Sequence, residues 1–141
     1  MTRIDAAQHR MQLASDLAAV LDAAYEAFEA MLSVLHPVQD PASDLFTPLV
    51  MAAASAANGR NAIALAPSLP RYPLHTAAAQ EQPSPGVRPE RVAGIVAGLS
   101  HLVAERLTQA AACAPDPADR DACSHAAQNA RYIRGFLTGT P

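Results

Sequence analysis

The sequence predicts an all-α protein, an antiparallel four-helix bundle with a long Pro-rich connection between helices 2 and 3. Apolar residues recur at steps of three and four in four separate stretches, the spacing of an amphipathic helix. Half of the residues are hydrophobic although only 4% are aromatic. The surplus is Ala, the residue with the highest helix propensity. Prolines are concentrated in residues 67–89, where no ordinary helix fits.

The length and the charge limit the classes of protein that fit. A chain of 141 residues is expected to fold as a single domain, 1–141, around one core. The net charge of −3 is spread along the chain, so we expect no nucleic acid and no anionic membrane surface as a partner. No apolar run approaches the roughly 18 residues of a membrane span. The N-terminus lacks the apolar stretch of a secretory signal, so we expect a cytoplasmic protein.

The first predicted helix covers residues 3–36 and ends before Pro37. It carries two adjacent apolar stripes, whereas a helix on the surface of a bundle needs only one. The extra stripe predicts either a central helix or a subunit interface along it. The residues of that stripe taken as interface candidates are Leu13, Leu17, Val20 and Met31.

The second predicted helix covers residues 47–66, with Thr47 as N-cap and Pro48 at the first helical position. Gly59 falls on its apolar line, where a neighbouring helix can approach closely. The alternative is that Asn58 and Gly59 end the helix in a left-handed cap. We favour a continuous helix because the apolar periodicity continues past Gly59 as far as Ala66.

The main loop is the Pro-rich segment of residues 67–89. Pro67, Pro70 and Pro73 have the PxxPxxP spacing that can form a polyproline II segment, in some proteins a ligand for aromatic grooves. A stiff crossover between two helices is the favoured interpretation. A loop this long is also a candidate lid or contact surface.

The third and fourth predicted helices cover residues 89–113 and 117–138. Pro89 opens the third helix, and Pro115 forces it to stop near Cys113. Asp116 is the expected N-cap of the fourth helix, and Gly135 or Gly139 can end it. The short turn between these helices predicts an antiparallel hairpin.

The most unusual pattern is a line of four residues on one face of the third helix: Gly94, Gly98, His101 and Glu105. Each interior glycine costs about 1 kcal/mol relative to Ala, so something should compensate. Close packing against another helix of the chain is the favoured interpretation. The alternatives are a ligand groove, with His101 and Glu105 as its polar end, and a contact between subunits.

Metal and thiol chemistry find little support. His101 and Glu105 could bind one metal ion together, but a stable site usually needs three or four ligands, so we expect no metal and no cofactor. Motifs such as GxSxG, the P-loop, GxGxxG and HExxH are missing.

Cys113 and Cys123 could face each other across the hairpin, but their axial offset favours two reduced thiols over a disulfide.

Two functional hypotheses follow, and the sequence does not decide between them. The first is a non-catalytic interaction protein that forms a homodimer through the apolar face of the first helix and the surface around Gly94 and Gly98. The second is a small-ligand-binding protein or small enzyme. It would hold a small hydrophobic ligand in an apolar groove, with His101 and Glu105 as polar groups and the Pro-rich loop as a lid. The balance of these observations is against an enzyme.

Overall fold

A computed structural model describes residues 2–70 and 87–139, and it confirms the all-α class, with no strand in either range. The predicted count of four helices is wrong, because the first predicted helix is two helices. A single 3₁₀ turn, His36–Val38, follows the second helix at Pro37. The helices are α1 (Arg3–Leu13), α2 (Leu17–Leu35), α3 (Phe46–Ala64), α4 (Pro89–Cys113) and α5 (Pro117–Thr138).

The break between α1 and α2 has a local cause at Asp16. The Asp16 carboxylate accepts a hydrogen bond from the backbone N–H of Ala19 at 2.8 Å, so it caps α2. Such a cap requires extended backbone at Asp16 and therefore interrupts the preceding helix. Ala14 is extended as well, and the Arg106 guanidinium of α4 donates to its carbonyl oxygen. The apolar periodicity continues across this break, which is why it predicts one helix.

The break lets α1 fold back along α2. Arg3 Nε lies 2.8 Å from Glu26 Oε1, and an Arg10 guanidinium nitrogen lies 2.6 Å from Asp22 Oδ2. Because α2 also packs against α3 and α4, it is covered on several sides. The chain itself therefore supplies most of the cover that the second apolar stripe requires.

Helix α3, predicted as the second helix over 47–66, begins one residue earlier and ends two residues earlier, and Thr47 is not its N-cap. The N-cap is Leu45, whose side chain makes no capping hydrogen bond. The Ser43 hydroxyl accepts from the N–H of Leu45 at 3.1 Å, which starts the first turn early. The helix continues through Gly59 as predicted, and Gly59 is buried.

The α4 and α5 helices keep their predicted bounds. Asp116 Oδ1 accepts from the N–H of Ala118 at 2.8 Å, and Gly139 ends α5 in the left-handed conformation, with φ of 70°. The two helices form a hairpin joined by residues 114–116, and α5 also packs on α3. Helix α1 contacts α4 on another side, so α4 is flanked by α1, α2 and α5.

Only the two ends of the predicted Pro-rich loop are described, at residues 67–70 and 87–89. Ser68 ties the first end to α5, because its N–H and its hydroxyl both donate to the buried carboxylate of Asp119, at 2.9 and 2.6 Å. Pro73 and the part of the loop expected to act as a lid lie outside the described residues.

Candidate functional site

The face of α4 that carries Gly94 and Gly98 is exposed. A Cβ atom built on either glycine would meet no atom of residues 2–70 and 87–139 within 4 Å. No other helix of the described chain therefore approaches these glycines closely, and the prediction of a helix contact inside the chain is wrong for both. Their helix-propensity cost remains without compensation from the described residues.

His101 and Glu105 extend this face toward the C-terminus of α4. Their side chains are 49% and 57% exposed, and His101 Nε2 lies 3.2 Å from Glu105 Oε1. The two residues are one helical turn apart, so the contact forms within α4 itself. A pair this exposed is well solvated and contributes little to stability, which leaves both groups available to a partner.

A groove of about 560 Å³ lies between α4 and α5, and His101 and Glu105 are on its rim. Arg131 of α5 spans it and donates to the Thr108 hydroxyl of α4 at 2.7 Å. Gly94 and Gly98 are not among its lining residues, so the four residues predicted as one site lie on two adjoining surfaces. The lining comprises Ser100, His101, Ala104, Glu105, Thr108, Gln109, Ala130, Arg131, Arg134 and Gly135.

The groove presents both apolar and polar surface, although most of its lining residues carry a polar side chain. Only Ala104, Ala130 and Gly135 among its lining residues lack a polar side chain. Its lining includes two guanidinium groups, of Arg131 and Arg134, and one carboxylate, of Glu105, so the groove carries a local positive excess. Sequence reasoning missed both arginines as site residues. Their position opposite His101 in the antiparallel hairpin was the available signal.

The four interface candidates of the first predicted helix are in different environments. Leu13, at the end of α1, is 67% exposed, and Leu17 is half-buried. Val20 and Met31 are 6% and 0% exposed, so both are covered within the chain and present no surface to a partner. A smaller groove of about 320 Å³ lies beside Leu17, between the α1–α2 connection and the end of α4.

The two cysteines are free thiols in different surroundings. Cys113 is exposed at the end of α4, whereas Cys123 is buried in α5. Burial, with a smaller contribution from the Asp119 carboxylate, raises the pKa of the Cys123 thiol to about 11. At neutral pH this thiol is protonated, which makes it a poor nucleophile.

Neither a metal centre nor a membrane-spanning segment is found in residues 2–70 and 87–139. No three His, Cys, Asp or Glu side chains in these ranges are placed to hold a metal ion together. None of the described helices combines the length and the hydropathy needed to cross a bilayer.

In comparisons with known proteins, no family model, curated protein or solved structure matches this chain.

Proposed function

We propose that this chain is a non-catalytic interaction protein that forms a homodimer through the exposed face of α4 around Gly94 and Gly98. The observation that carries the proposal is that a side chain at either glycine would meet no described atom within 4 Å, although both glycines lie inside a 25-residue helix. An exposed helix position gains stability from almost any residue other than glycine or proline. A second helix can approach closely where the glycines have no side chains, and the contacts it gains would offset the helix-propensity cost of the glycines.

The remainder of this face also suits a contact between chains. Ile95 is 43% exposed, and Leu102 is half-buried. These side chains supply apolar area beside the glycines, while Arg91 and Glu105 supply charge at either end. A small apolar centre with a charged rim is the common arrangement of interfaces between folded proteins.

The mass of the chain in solution tests this proposal. Sedimentation equilibrium from about 1 to 500 μM should show a species of twice the 14.7 kDa chain mass, in an association of micromolar strength. Gly98→Leu should shift the protein to monomer, because the added side chain holds the helices apart. Ala54→Leu is the matched control, since it adds a leucine at an exposed position of α3. A wild-type chain that stays monomeric throughout, or a Gly98→Leu variant that dimerises like wild type, would contradict the proposal.

A second candidate function is the binding of a small ligand in the groove between α4 and α5. His101 and Glu105 line it together with Arg131 and Arg134, so a small anionic ligand fits this groove better than a hydrophobic one. Titration with inorganic phosphate, followed by NMR, should shift α4 and α5 amide resonances, and Arg134→Ala should weaken the effect. Identical shifts in that variant, or none in wild type, would contradict this candidate.

A further inference from the structure

We infer that the two copies pair α4 against α4 in an antiparallel register with Gly98 at the two-fold axis, so that Arg91 contacts the partner's Glu105. This inference rests on the proposed homodimer and specifies its geometry. It follows from the arrangement of exposed residues on either side of Gly98.

The charges on this face are placed symmetrically about Gly98. Arg91 lies seven residues before it and Glu105 lies seven residues after it, and both side chains are exposed. Seven residues are nearly two helical turns, so both charges lie on the glycine face at about 10 Å from Gly98 along the helix axis. In a two-fold contact between antiparallel helices, a residue before the axis meets the partner residue equally far after it. Arg91 then meets the partner's Glu105, and the symmetry produces this pair twice.

The apolar residues fit the same register. Gly94 lies four residues before Gly98 and Leu102 lies four residues after it, so Leu102 lies over the partner's Gly94. A side chain at Gly94 would meet no described atom within 4 Å, and Leu102 is half-buried, packing against the core with part of its surface still exposed. A side chain that fills the gap left by a glycine lets two helices approach closely.

A parallel pairing of the same face lacks this complementarity. In a parallel, in-register contact Arg91 would meet the partner's Arg91, and Glu105 would meet the partner's Glu105. Like charges across an interface disfavour association and suppress wrong geometries. The charge pattern therefore selects the antiparallel arrangement.

Both charges are available for this contact. Within residues 2–70 and 87–139, the Arg91 guanidinium makes no hydrogen bond or ion pair. Glu105 contacts His101 through one carboxylate oxygen. A carboxylate can accept several hydrogen bonds, so Glu105 can bind His101 and the partner's Arg91 together.

Charge reversal tests the register. Arg91→Glu and Glu105→Arg should each weaken self-association about tenfold, because each places two like-charge pairs in the dimer. An equimolar mixture of the two variants should form a heterodimer of nearly wild-type affinity, and so should the double variant R91E/E105R with itself. Asp121→Arg is the control, since it reverses an exposed charge on α5 and leaves α4 unchanged. It should leave the dissociation constant unchanged.

Cross-linking gives a second measurement. In a Cys113→Ser background, mixed Arg91→Cys and Glu105→Cys chains should form a disulfide between them under mild oxidation. Cross-linking of Arg91→Cys to itself alone would indicate a parallel contact and overturn the register.

The outcomes separate this inference from the function on which it rests. If the wild type dimerises but neither Arg91→Glu nor Glu105→Arg changes the dissociation constant, the register is wrong and the homodimer remains supported. The same holds if the mixture of the two variants does not recover the wild-type affinity. A monomeric wild-type chain overturns both. Circular dichroism of each variant, compared with wild type, separates lost association from lost folding.

Discussion

The ring of Phe28 in α2 packs directly over the backbone of Gly59 in α3. A Cβ atom at Gly59 would lie 2.5 Å from Phe28 Cζ and 2.6 Å from Phe28 Cε1, well inside van der Waals contact. The Phe28 side chain is fully buried. Gly59 is therefore the position that lets these two helices approach closely.

Gly59→Ala should destabilise the fold by up to about 2 kcal/mol. Overpacking a tight core costs about 1–3 kcal/mol, and the better helix propensity of alanine offsets about 1 kcal/mol of that. Chemical denaturation followed by circular dichroism measures the change. A variant as stable as wild type would show that the Phe28 ring moves aside freely.

The contact also predicts coupling between the two positions. Phe28→Leu alone should destabilise by leaving a cavity, but in the Gly59→Ala background the smaller side chain makes room for the new methyl group. The double variant should therefore lose less stability than the sum of the two single variants. Additive losses would place the two residues out of contact.

Gly98→Ala should have the opposite effect on the isolated chain. The new methyl group meets no described atom within 4 Å, so helix propensity dominates, and the free energy of unfolding should rise by about 0.5–1 kcal/mol. The measurement needs dilute protein, where a dimer is dissociated. In concentrated protein the same substitution should weaken self-association. A rise in stability without any change in association would argue against the α4 contact.

The contrast between Gly59 and Gly98 shows what the sequence could predict. Both glycines interrupt apolar helical patterns, and both were predicted to lie against a neighbouring helix. Periodicity identifies which face of a helix a residue occupies, but it does not say which face the rest of the chain covers. That depends on the packing of several helices at once. Gly59 was therefore predicted correctly, and Gly98 was not.

The bounds of α4 and α5 were predictable because their end signals are local. Each signal acts within one turn of backbone: Pro89 and Pro117 occupy the first positions of their helices, and Asp116 is the N-cap of α5. The break at Asp16 depends on the same kind of signal, but the uninterrupted apolar pattern around it favoured a single helix. The groove between α4 and α5 depends on side chains from two helices. The predicted hairpin places Arg131 and Arg134 near His101, but it does not show that a groove opens between them.

Asp119→Ala should destabilise the protein by about 1–3 kcal/mol, because the partly buried N–H and hydroxyl of Ser68 lose their acceptors. Asp119 also lies in the first turn of α5, where a negative charge is favourable. Asp121→Ala is the matched control, since Asp121 is exposed two residues later and should change stability by less than about 0.5 kcal/mol. Asp119→Asn should recover part of the loss, because the amide keeps one acceptor oxygen.

Cys123 should be nearly inert in the folded protein. Its raised pKa keeps the thiol protonated up to strongly alkaline pH, and its side chain is fully buried. At pH 8 a thiol reagent should label Cys113 quickly and Cys123 only as the chain unfolds. Peptide mapping of the labelled sites tests this, and comparable labelling of both thiols in native protein would contradict the burial of Cys123.

The same thiol should make stability depend on alkaline pH. Its pKa is about 11 in the folded chain against an ordinary value of 9.0, so the unfolded chain loses this proton first as the pH rises. The contribution of the group to stability is fully present below pH 9.0 and is lost as the pH rises toward 11. Cys123→Ala lacks the titrating group, so its free energy of unfolding should fall less steeply in that window. Equal slopes for the variant and wild type would show that the Cys123 pKa is the same in the folded and unfolded chains.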